Sequence, residues 1–231
     1  MFRCACRQAD RIIAVSECTK RDIVSLYHIA PEKIDVVYQG CDPAFKQAVP
    51  EEKKEEVKKR YQLPEKYILY VGSIESRKNL MLLARALCHL DASYQVIAVG
   101  KHTSYADKVT RFLAHEGLQS RMRLIHGVPF SDLPALYQCA TTFVYPSFYE
   151  GFGIPLLEAL NSGVPAIGAH GSCLEEAGGP SSLYVAPTDE KGLAEVIRRT
   201  YTDASLRERM IEEDKKYAAQ FEPEPLTRQL L

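Results

Sequence analysis

The sequence predicts an α/β protein with a doubly wound, mostly parallel sheet. Short apolar runs alternate with longer amphipathic stretches along most of the 231 residues. Strands separated by single helices imply βαβ units and therefore parallel pairing. A hydrophobic content of 46% is enough for a substantial core. In such a sheet, ligands bind at the carboxyl ends of the strands.

Apolar, β-prone runs predict the strands, and amphipathic stretches between and after them predict the helices. The predicted strands span residues 11–15, 34–38, 67–71, 95–99, 123–126, 142–145, 166–167 and 183–185. The predicted helices span residues 19–27, 51–61, 80–90, 105–116, 133–139, 154–162, 190–201 and 205–221. The charge-dense stretch at residues 49–59 has opposite charges at helical spacing, so we expect it to be solvated.

Composition excludes several classes of function. The 29 basic and 30 acidic residues nearly cancel, so no global charge favours nucleic acid or an anionic membrane. The seven cysteines are scattered, and Cys4-Ala-Cys6 lacks the spacing of a zinc site, so we expect reduced thiols and no bound metal. No apolar run has the length of a signal peptide or a membrane span, and a cytoplasmic protein is therefore expected.

The most informative motif is Pro146-Ser-Phe-Tyr-Glu-Gly-Phe-Gly-Ile-Pro-Leu-Leu-Glu158. It follows a predicted strand and contains a glycine-rich turn, and Pro155 suits the first turn of a helix. The free N–H groups of such a turn and helix start, together with the helix dipole, favour a phosphate. Glu150 and Glu158 bracket this site with hydrogen-bond acceptors. A ligand with phosphates and many hydroxyls, such as a nucleotide-sugar, would suit it, although a solvated surface turn is the ordinary alternative.

A second motif is Tyr70-Val-Gly-Ser-Ile-Glu-Ser-Arg-Lys-Asn-Leu80. It predicts a strand that ends at Gly72, a short loop, and a helix for which Asn79 is a plausible N-cap. Arg77 and Lys78 follow the carboxyl end of this strand, where a basic side chain could reach a diphosphate. The alternative interpretation is that Arg77 and Lys78 are ordinary surface cations.

Taken whole, the first motif resembles the Glu-x7-Glu signature of family 4 of the retaining glycosyltransferases. Val-Gly-x-x-x-x-Arg-Lys-Asn is similar to the family's other donor-site motif, and the likeness extends over nearly the whole chain. The resemblance implies one of the two Rossmann-like domains of a GT-B architecture. It divides the chain into residues 1–45 (the end of an N-terminal domain and the linker), 46–222 (a nucleotide-sugar-binding domain) and 223–231 (a tail).

The resemblance also implies roles for individual residues. Lys78 would contact the donor's phosphates, Glu150 would accept from the sugar hydroxyls, and Glu158 would accept from the ribose. Lys78 and Glu150 are the expected catalytic residues. Many members place an arginine directly after the glycine, and this arginine makes a second contact with the donor's phosphates. This chain has Ser73 there, so the second phosphate contact is absent or comes from Arg77. The full expected donor site is Gly72, Ser73, Arg77, Lys78, Glu150, Gly151, Phe152, Gly153, Ile154 and Glu158.

The expected partners follow from the same family. The donor would be a UDP-sugar or GDP-sugar used without a cofactor, with a carbohydrate or glycolipid acceptor, no nucleic acid and at most peripheral membrane contact. The Arg-Lys-Asn form is similar to that of members that build polysaccharides from GDP-mannose. His126 ends a strand on the same side, where it could approach the base or have only a structural role.

The main departure from the family concerns the N-terminal domain, which supplies the acceptor-binding side of the cleft in family members. Only the last strand and helix of that domain are recognised in this sequence. One alternative is therefore a catalytically inactive nucleotide-sugar-binding fragment or subunit that needs a separate N-terminal domain. An unrelated dinucleotide-binding protein is the third hypothesis, and the lack of Gly-x-Gly-x-x-Gly after the first strand opposes it.

Overall fold

Residues 2–222, the part of the chain that the computed structural model describes, contain eight strands in two parallel sheets. The small sheet pairs β1 with β2, and the large sheet has the order β5-β4-β3-β6-β7-β8. The doubly wound α/β prediction is confirmed. The strands are β1 (Ile12–Ala14), β2 (Ile34–Val36), β3 (Ile68–Val71), β4 (Val96–Val99), β5 (Met122–Ile125), β6 (Thr142–Tyr145), β7 (Ala166–Ala169) and β8 (Leu183–Val185).

Ten α-helices occur in the same described range, and they pack against the sheets and one another. Most of them present an apolar stripe to the core, as the amphipathic pattern predicts. The helices are α1 (Phe2–Gln8), α2 (Glu17–Tyr27), α3 (Glu51–Arg60), α4 (Leu80–Ala86), α5 (Ser104–His115), α6 (Leu133–Gln138), α7 (Ile154–Asn161), α8 (Leu174–Gly178), α9 (Glu190–Thr202) and α10 (Ala204–Ala218).

The predicted elements differ from these bounds mainly at their ends. The strand predicted at residues 166–167 continues to Ala169 because Gly168 does not interrupt pairing with β8. The helix predicted at residues 80–90 changes to a 3-10 turn at Leu87–His89, and that at residues 205–221 changes at Ala219–Phe221. Helices α1 and α8 were not predicted. The predicted tail at residues 223–231 lies outside the described residues.

The large sheet reverses its strand order between β3 and β6. From β3 the chain adds β4 and β5 on one side, and then returns to add β6 on the other. Crossovers on either side of such a point run in opposite directions and leave a crevice at the carboxyl ends of the two strands. Gly72 directly follows β3, and Pro146 directly follows β6. The two sequence motifs therefore meet at this crevice.

The amino-terminal part of the chain is bound to the crevice loop and to α8. Ser16 Oγ donates to the Gly151 carbonyl at 2.6 Å, and its oxygen also caps α2 by accepting from the Thr19 N–H. The Glu176 carboxylate accepts from the backbone N–H groups of Glu17 and Cys18 at 2.7 and 2.8 Å. A carboxylate at a helix N-terminus is favourable to the helix dipole. These contacts attach residues 1–45 to the larger sheet domain.

No helix within residues 2–222 is long and apolar enough to cross a membrane. All seven cysteines lie in this range and are unpaired. The same residues contain no cluster of three or more His, Cys, Asp or Glu side chains arranged for a metal ion.

Candidate functional site

Gly72 allows the side chains of Lys78 and Tyr145 to approach the end of β3. Its φ of +156° and its lack of a side chain permit a close approach. A Cβ at this position would lie 3.3 Å from Lys78 Cδ and 3.4 Å from Tyr145 Cε2. Lys78 ends a 3-10 turn, Ser76–Lys78, that carries the chain from β3 to α4. The predicted Gly72 and Lys78 are therefore neighbours, and Tyr145 joins them from β6.

The Tyr145 hydroxyl lies between the predicted phosphate-binding lysine and the predicted sugar-binding glutamate. Lys78 Nζ donates to it at 2.8 Å, and it donates to Glu150 Oε1 at 2.9 Å. The ammonium itself is 3.8 Å from Glu150 Oε1. The site thus holds a cation and an anion close together, with a hydroxyl bridging them.

Glu150 is well supplied with hydrogen-bond donors. Arg77 Nη1 lies 2.7 Å from Oε2, and Ser147 Oγ lies 2.9 Å from Oε1. Burial disfavours the charged carboxylate, but the hydrogen bonds from Arg77, Tyr145 and Ser147 and the charge of Lys78 outweigh it and lower the Glu150 pKa. Glu150 is therefore an ionised acceptor at neutral pH, as its proposed role requires.

Arg77 binds the second loop rather than the end of β3. Its guanidinium also donates to the Tyr149 carbonyl at 2.5 Å, and its own carbonyl accepts from the Phe148 N–H at 2.9 Å. Arg77 thus joins the two loops and pairs with Glu150. Arg77 would have to break its ion pair with Glu150 before it could contact a donor phosphate near Ser73.

The Asn79 side chain does not cap α4. It occupies the residue before α4 with a left-handed φ of +56°, and its side chain makes no capping hydrogen bond. The Nδ2 group instead donates to the carbonyls of Pro146 and Pro187, at 3.0 and 2.8 Å. Asn79 is the N-cap residue of α4, as predicted, but its side chain does not cap the helix, because the buried amide has two carbonyl partners on neighbouring loops. Asn79 thereby fixes the glutamate loop relative to Lys78.

The turn before α7 needs a glycine at its last residue. Gly153 precedes the helix with φ +118°, and Pro155 lies in the first turn. The first N–H groups of a helix have no intrahelical partners, so those near Gly153 and Ile154 suit an anion. Gly151 lies against Val15 of the amino-terminal part. The Phe152 side chain is buried, and its ring packs against Tyr38 and Phe221 rather than facing the crevice.

Glu158 lies in a different hydrogen-bonded group from Glu150. The Tyr137 hydroxyl donates to Glu158 Oε2 at 2.8 Å. Burial raises the pKa of Glu158, the hydrogen bond from Tyr137 partly opposes this, and the nearby charge of Asp42 adds to it. The two glutamates therefore lie in electrostatically different surroundings, which the sequence spacing alone does not reveal.

A cavity of about 490 Å³ opens beside Gly72 at the carboxyl ends of β3, β4 and β5. A Cβ at Gly100 would overlap the Gly72 carbonyl oxygen, so only glycine fits there. His126 Nδ1 lies 2.6 Å from the Gly100 carbonyl oxygen, and its ring meets that of His102 edge to face. The lining residues are Val71, Gly72, Ser73, Val99, Gly100, Lys101, His102, His126, Gly127, Val128 and Leu133.

Sequence reasoning missed Tyr145, Gly100 and His102. Each lies at or just after the carboxyl end of a predicted strand, and that position was the available signal. The polar end of Tyr145 was hidden in an apolar run that predicted only a strand. Gly100 and His102 follow β4, which carried no recognised motif.

Solved structures define the class of fold. A glycosyltransferase from Rickettsia africae aligns with a TM-score of 0.90 and 21% identity over 99% of this chain and 65% of its own. Anabaena Alr3699/HepE in complex with UDP and glucose aligns with a TM-score of 0.88 and 20% identity, over 98% of this chain and 63% of its own. The fold is that of a GT-B glycosyltransferase domain.

Sequence comparison then shows the family. Residues 51–217 match the profile of Glycosyl transferases group 1, and the chain therefore belongs to that family. Residues 1–45 match the profile of Glycosyltransferase Family 4. The predicted domain boundaries and the roles of the individual site residues stay predictions.

Two curated relatives have mannosyltransferase names. O-antigen chain mannosyltransferase B of Escherichia coli is 34% identical over 229 residues, 96% of this chain and 60% of the relative. O-antigen chain mannosyltransferase RfbU of Salmonella typhimurium is 29% identical over 198 residues, 86% of this chain and 53% of the relative. This chain thus spans little more than half the length of these relatives.

Proposed function

We propose that this chain is the donor-binding half of a retaining, metal-independent glycosyltransferase of the family 4 type. One observation carries the proposal: the Lys78 ammonium and the Glu150 carboxylate meet around Tyr145 at the point where the strand order reverses. A cation for phosphates and an anion for hydroxyls, side by side, match the two ends of a nucleoside-diphosphate sugar. We expect the reaction to take place in the cytoplasm.

The diphosphate would bind between Lys78 and the first turn of α7. When the bond from the sugar to the diphosphate breaks, negative charge grows on the leaving group. The lysine and the N–H groups near Gly153 and Ile154 would stabilise this charge without moving, because both are already fixed by the fold. This electrostatic contribution is the chemical role that we assign to Lys78.

The two ends of the donor would bind on opposite sides of the diphosphate. Glu150 is ionised and would accept hydrogen bonds from the sugar hydroxyls, while Glu158 would accept from the ribose. The base would enter the cavity next to Gly72, where His126 and His102 lie. The names of the two relatives make GDP-mannose the first donor to test, and the Anabaena complex makes UDP-glucose the second. A carbohydrate or glycolipid would be the acceptor.

A nucleotide-sugar-binding fragment or subunit without activity of its own is the second candidate. In this candidate the same residues bind the donor, and the acceptor site is on a separate domain or subunit. Incubation with GDP-mannose or UDP-glucose and a glycan acceptor separates the two candidates. Transfer by this chain alone would exclude the second.

Calorimetric titration tests the donor site itself. We expect Lys78→Ala to weaken GDP or UDP binding roughly tenfold or more, as for loss of a hydrogen bond to a charged group. Glu150→Ala should reduce the additional affinity that the sugar gives to GDP-mannose or UDP-glucose over the free nucleotide. The matched control is Lys216→Ala, since Lys216 pairs with Glu212 on the surface of α10. Unchanged affinities in both site variants, with circular dichroism showing an intact fold, would refute the proposal.

A further inference from the structure

We propose that Tyr145 is a positioning residue that keeps Lys78 apart from Glu150, so that the ammonium stays available to the donor's phosphates. The inference rests on the proposed function. It adds Tyr145, which lies outside both sequence motifs, to the residues that shape the donor site. It follows from the position of one buried hydroxyl and from the chemistry of its two partners.

The Tyr145 ring packs against two other aromatic rings. Its side chain is buried, and its ring is stacked on that of Phe143 at 6.1 Å with an angle of 18°. The Tyr70 ring lies at the same centroid distance and is tilted by 36°. A Cβ at residue 72 would lie 3.4 Å from the ring edge, so Gly72 leaves space for the ring there. The hydroxyl therefore has little freedom to turn away from Lys78 and Glu150.

The direction of the two hydrogen bonds follows from the groups involved. A lysine ammonium has donors and no acceptor, whereas an ionised carboxylate has acceptors and no donor. The Tyr145 oxygen must therefore accept from Lys78, and its proton must point to Glu150. Burial, the charge of Glu150 and the hydrogen bond to it all raise the Tyr145 pKa, so the hydroxyl keeps this proton.

The bridge changes what Lys78 can do. Among the described residues, Tyr145 is the acceptor of the one hydrogen bond from Lys78 Nζ, and Glu150 Oε1 is 3.8 Å away. The remaining N–H donors are left for a ligand. If the hydroxyl were removed, nothing would hold the lysine back from a direct, charge-assisted ion pair with Glu150. A diphosphate would then have to break that pair before it could bind.

The expected size of this effect follows from the distances. Shortening the charge separation from 3.8 Å to about 2.8 Å favours the pair roughly tenfold at an effective dielectric constant of about 20. Phenylalanine fills the space of the tyrosine ring, so Tyr145→Phe should keep the fold. We therefore expect Tyr145→Phe to weaken GDP and UDP binding roughly tenfold. The affinity for guanosine and uridine should not change, because these nucleosides have no phosphate.

A matched control is Tyr67→Phe. Tyr67 directly precedes β3, at the end of the strand away from Gly72, is fully buried, and donates to the Leu136 carbonyl at 2.6 Å. This variant also loses a buried tyrosine hydroxyl bond and should lose some stability, but its affinity for GDP and UDP should be that of the wild-type chain.

The decisive test is calorimetry of the double variant Tyr145→Phe/Glu150→Gln with GDP and UDP. Removing the carboxylate charge leaves Lys78 nothing to pair with, so the double variant should recover the affinity that Tyr145→Phe loses. A role of Tyr145 in packing alone would give no such rescue. Two results would overturn only this inference. One is that Tyr145→Phe binds GDP and UDP as tightly as the wild-type chain does, and the other is that the double variant does not recover the affinity that Tyr145→Phe loses. A wild-type chain that binds neither GDP nor UDP would overturn the proposed function as well.

Discussion

Replacing Gly153 by alanine should destabilise the protein through two separate effects. Gly153 precedes α7 with φ +118°, a conformation that side chains rarely adopt. A Cβ there would also lie 2.9 Å from Leu174 Cδ2 and 3.2 Å from Ala177 Cβ. Both contacts belong to α8, which packs directly on α7. The leucine methyl can rotate away, but the alanine Cβ can move only with its helix.

The two effects can be given magnitudes. The unfavourable φ costs about 1–2 kcal/mol. Insertion of a methyl group into a packed contact costs about 1–3 kcal/mol more. Gly117→Ala is the control for a positive φ without crowding, because a Cβ at Gly117 would meet nothing within 4 Å and its φ of +69° lies in the left-handed region that side chains can reach. Gly153→Ala adds the crowded contact and a φ outside that region, so it should cost at least about 1–3 kcal/mol more free energy of unfolding than Gly117→Ala.

Urea unfolding followed by circular dichroism measures this difference, and thermal unfolding gives a second reading. Each kcal/mol should lower the melting temperature by about 2–4 °C in a chain of this size. If both variants lose the same stability, the close packing of α8 on Gly153 is not a constraint and the reasoning fails. A Gly153→Ala variant as stable as the wild-type chain would also contradict the backbone argument.

Two buried aspartates should give opposite pH dependences. Burial raises the pKa of Asp214 to about 7, although Ser181 Oγ donates to it at 2.7 Å. Between about pH 4 and 7 the folded chain keeps a proton that the unfolded chain has lost, so this group lowers stability as the pH rises. Asp214→Asn should therefore raise the midpoint of urea unfolding at pH 8 and much less at pH 5; an equal effect at both would contradict this. Burial of Asp132 opposes its ionisation, but hydrogen bonds from Lys53, Tyr61 and Arg60 lower its pKa, so its stabilisation is lost on acidification. Asp132→Ala should cost about 1–3 kcal/mol at pH 7 in the same assay, because it removes hydrogen bonds to a charged group while the partly exposed Lys53 and Arg60 can turn to solvent. No loss of stability at pH 7 would contradict this account.

Local patterns were sufficient to predict the sheet. The β-prone runs at residues 67–71 and 142–145 end at a glycine and a proline, so the strand ends that form the crevice could be located from sequence. Helix α8 was missed because its five residues are too few for a helical period to be recognised. The 3-10 turns after α4 and α10 continue the same apolar pattern, and the sequence does not distinguish them from α-helix.

The site could be predicted only in part, because its geometry depends on contacts between distant segments. The motifs pointed to Lys78 and Glu150, but not to the Tyr145 hydroxyl between them. A tyrosine in an apolar strand is normally interpreted as a core residue. The role of Asn79 likewise depends on carbonyls that lie 67 and 108 residues away in sequence. The cavity beside Gly72 forms where three strand ends meet, and no single segment encodes it.

A crystal structure of this chain with GDP or UDP tests the central claim most directly. We predict that the diphosphate lies within hydrogen-bond distance of Lys78 Nζ and of the N–H groups near Gly153 and Ile154. The ribose should lie near Glu158, and the base should occupy the cavity beside Gly72. A nucleotide bound elsewhere, or a diphosphate that does not contact Lys78, would contradict the assignment of the donor site.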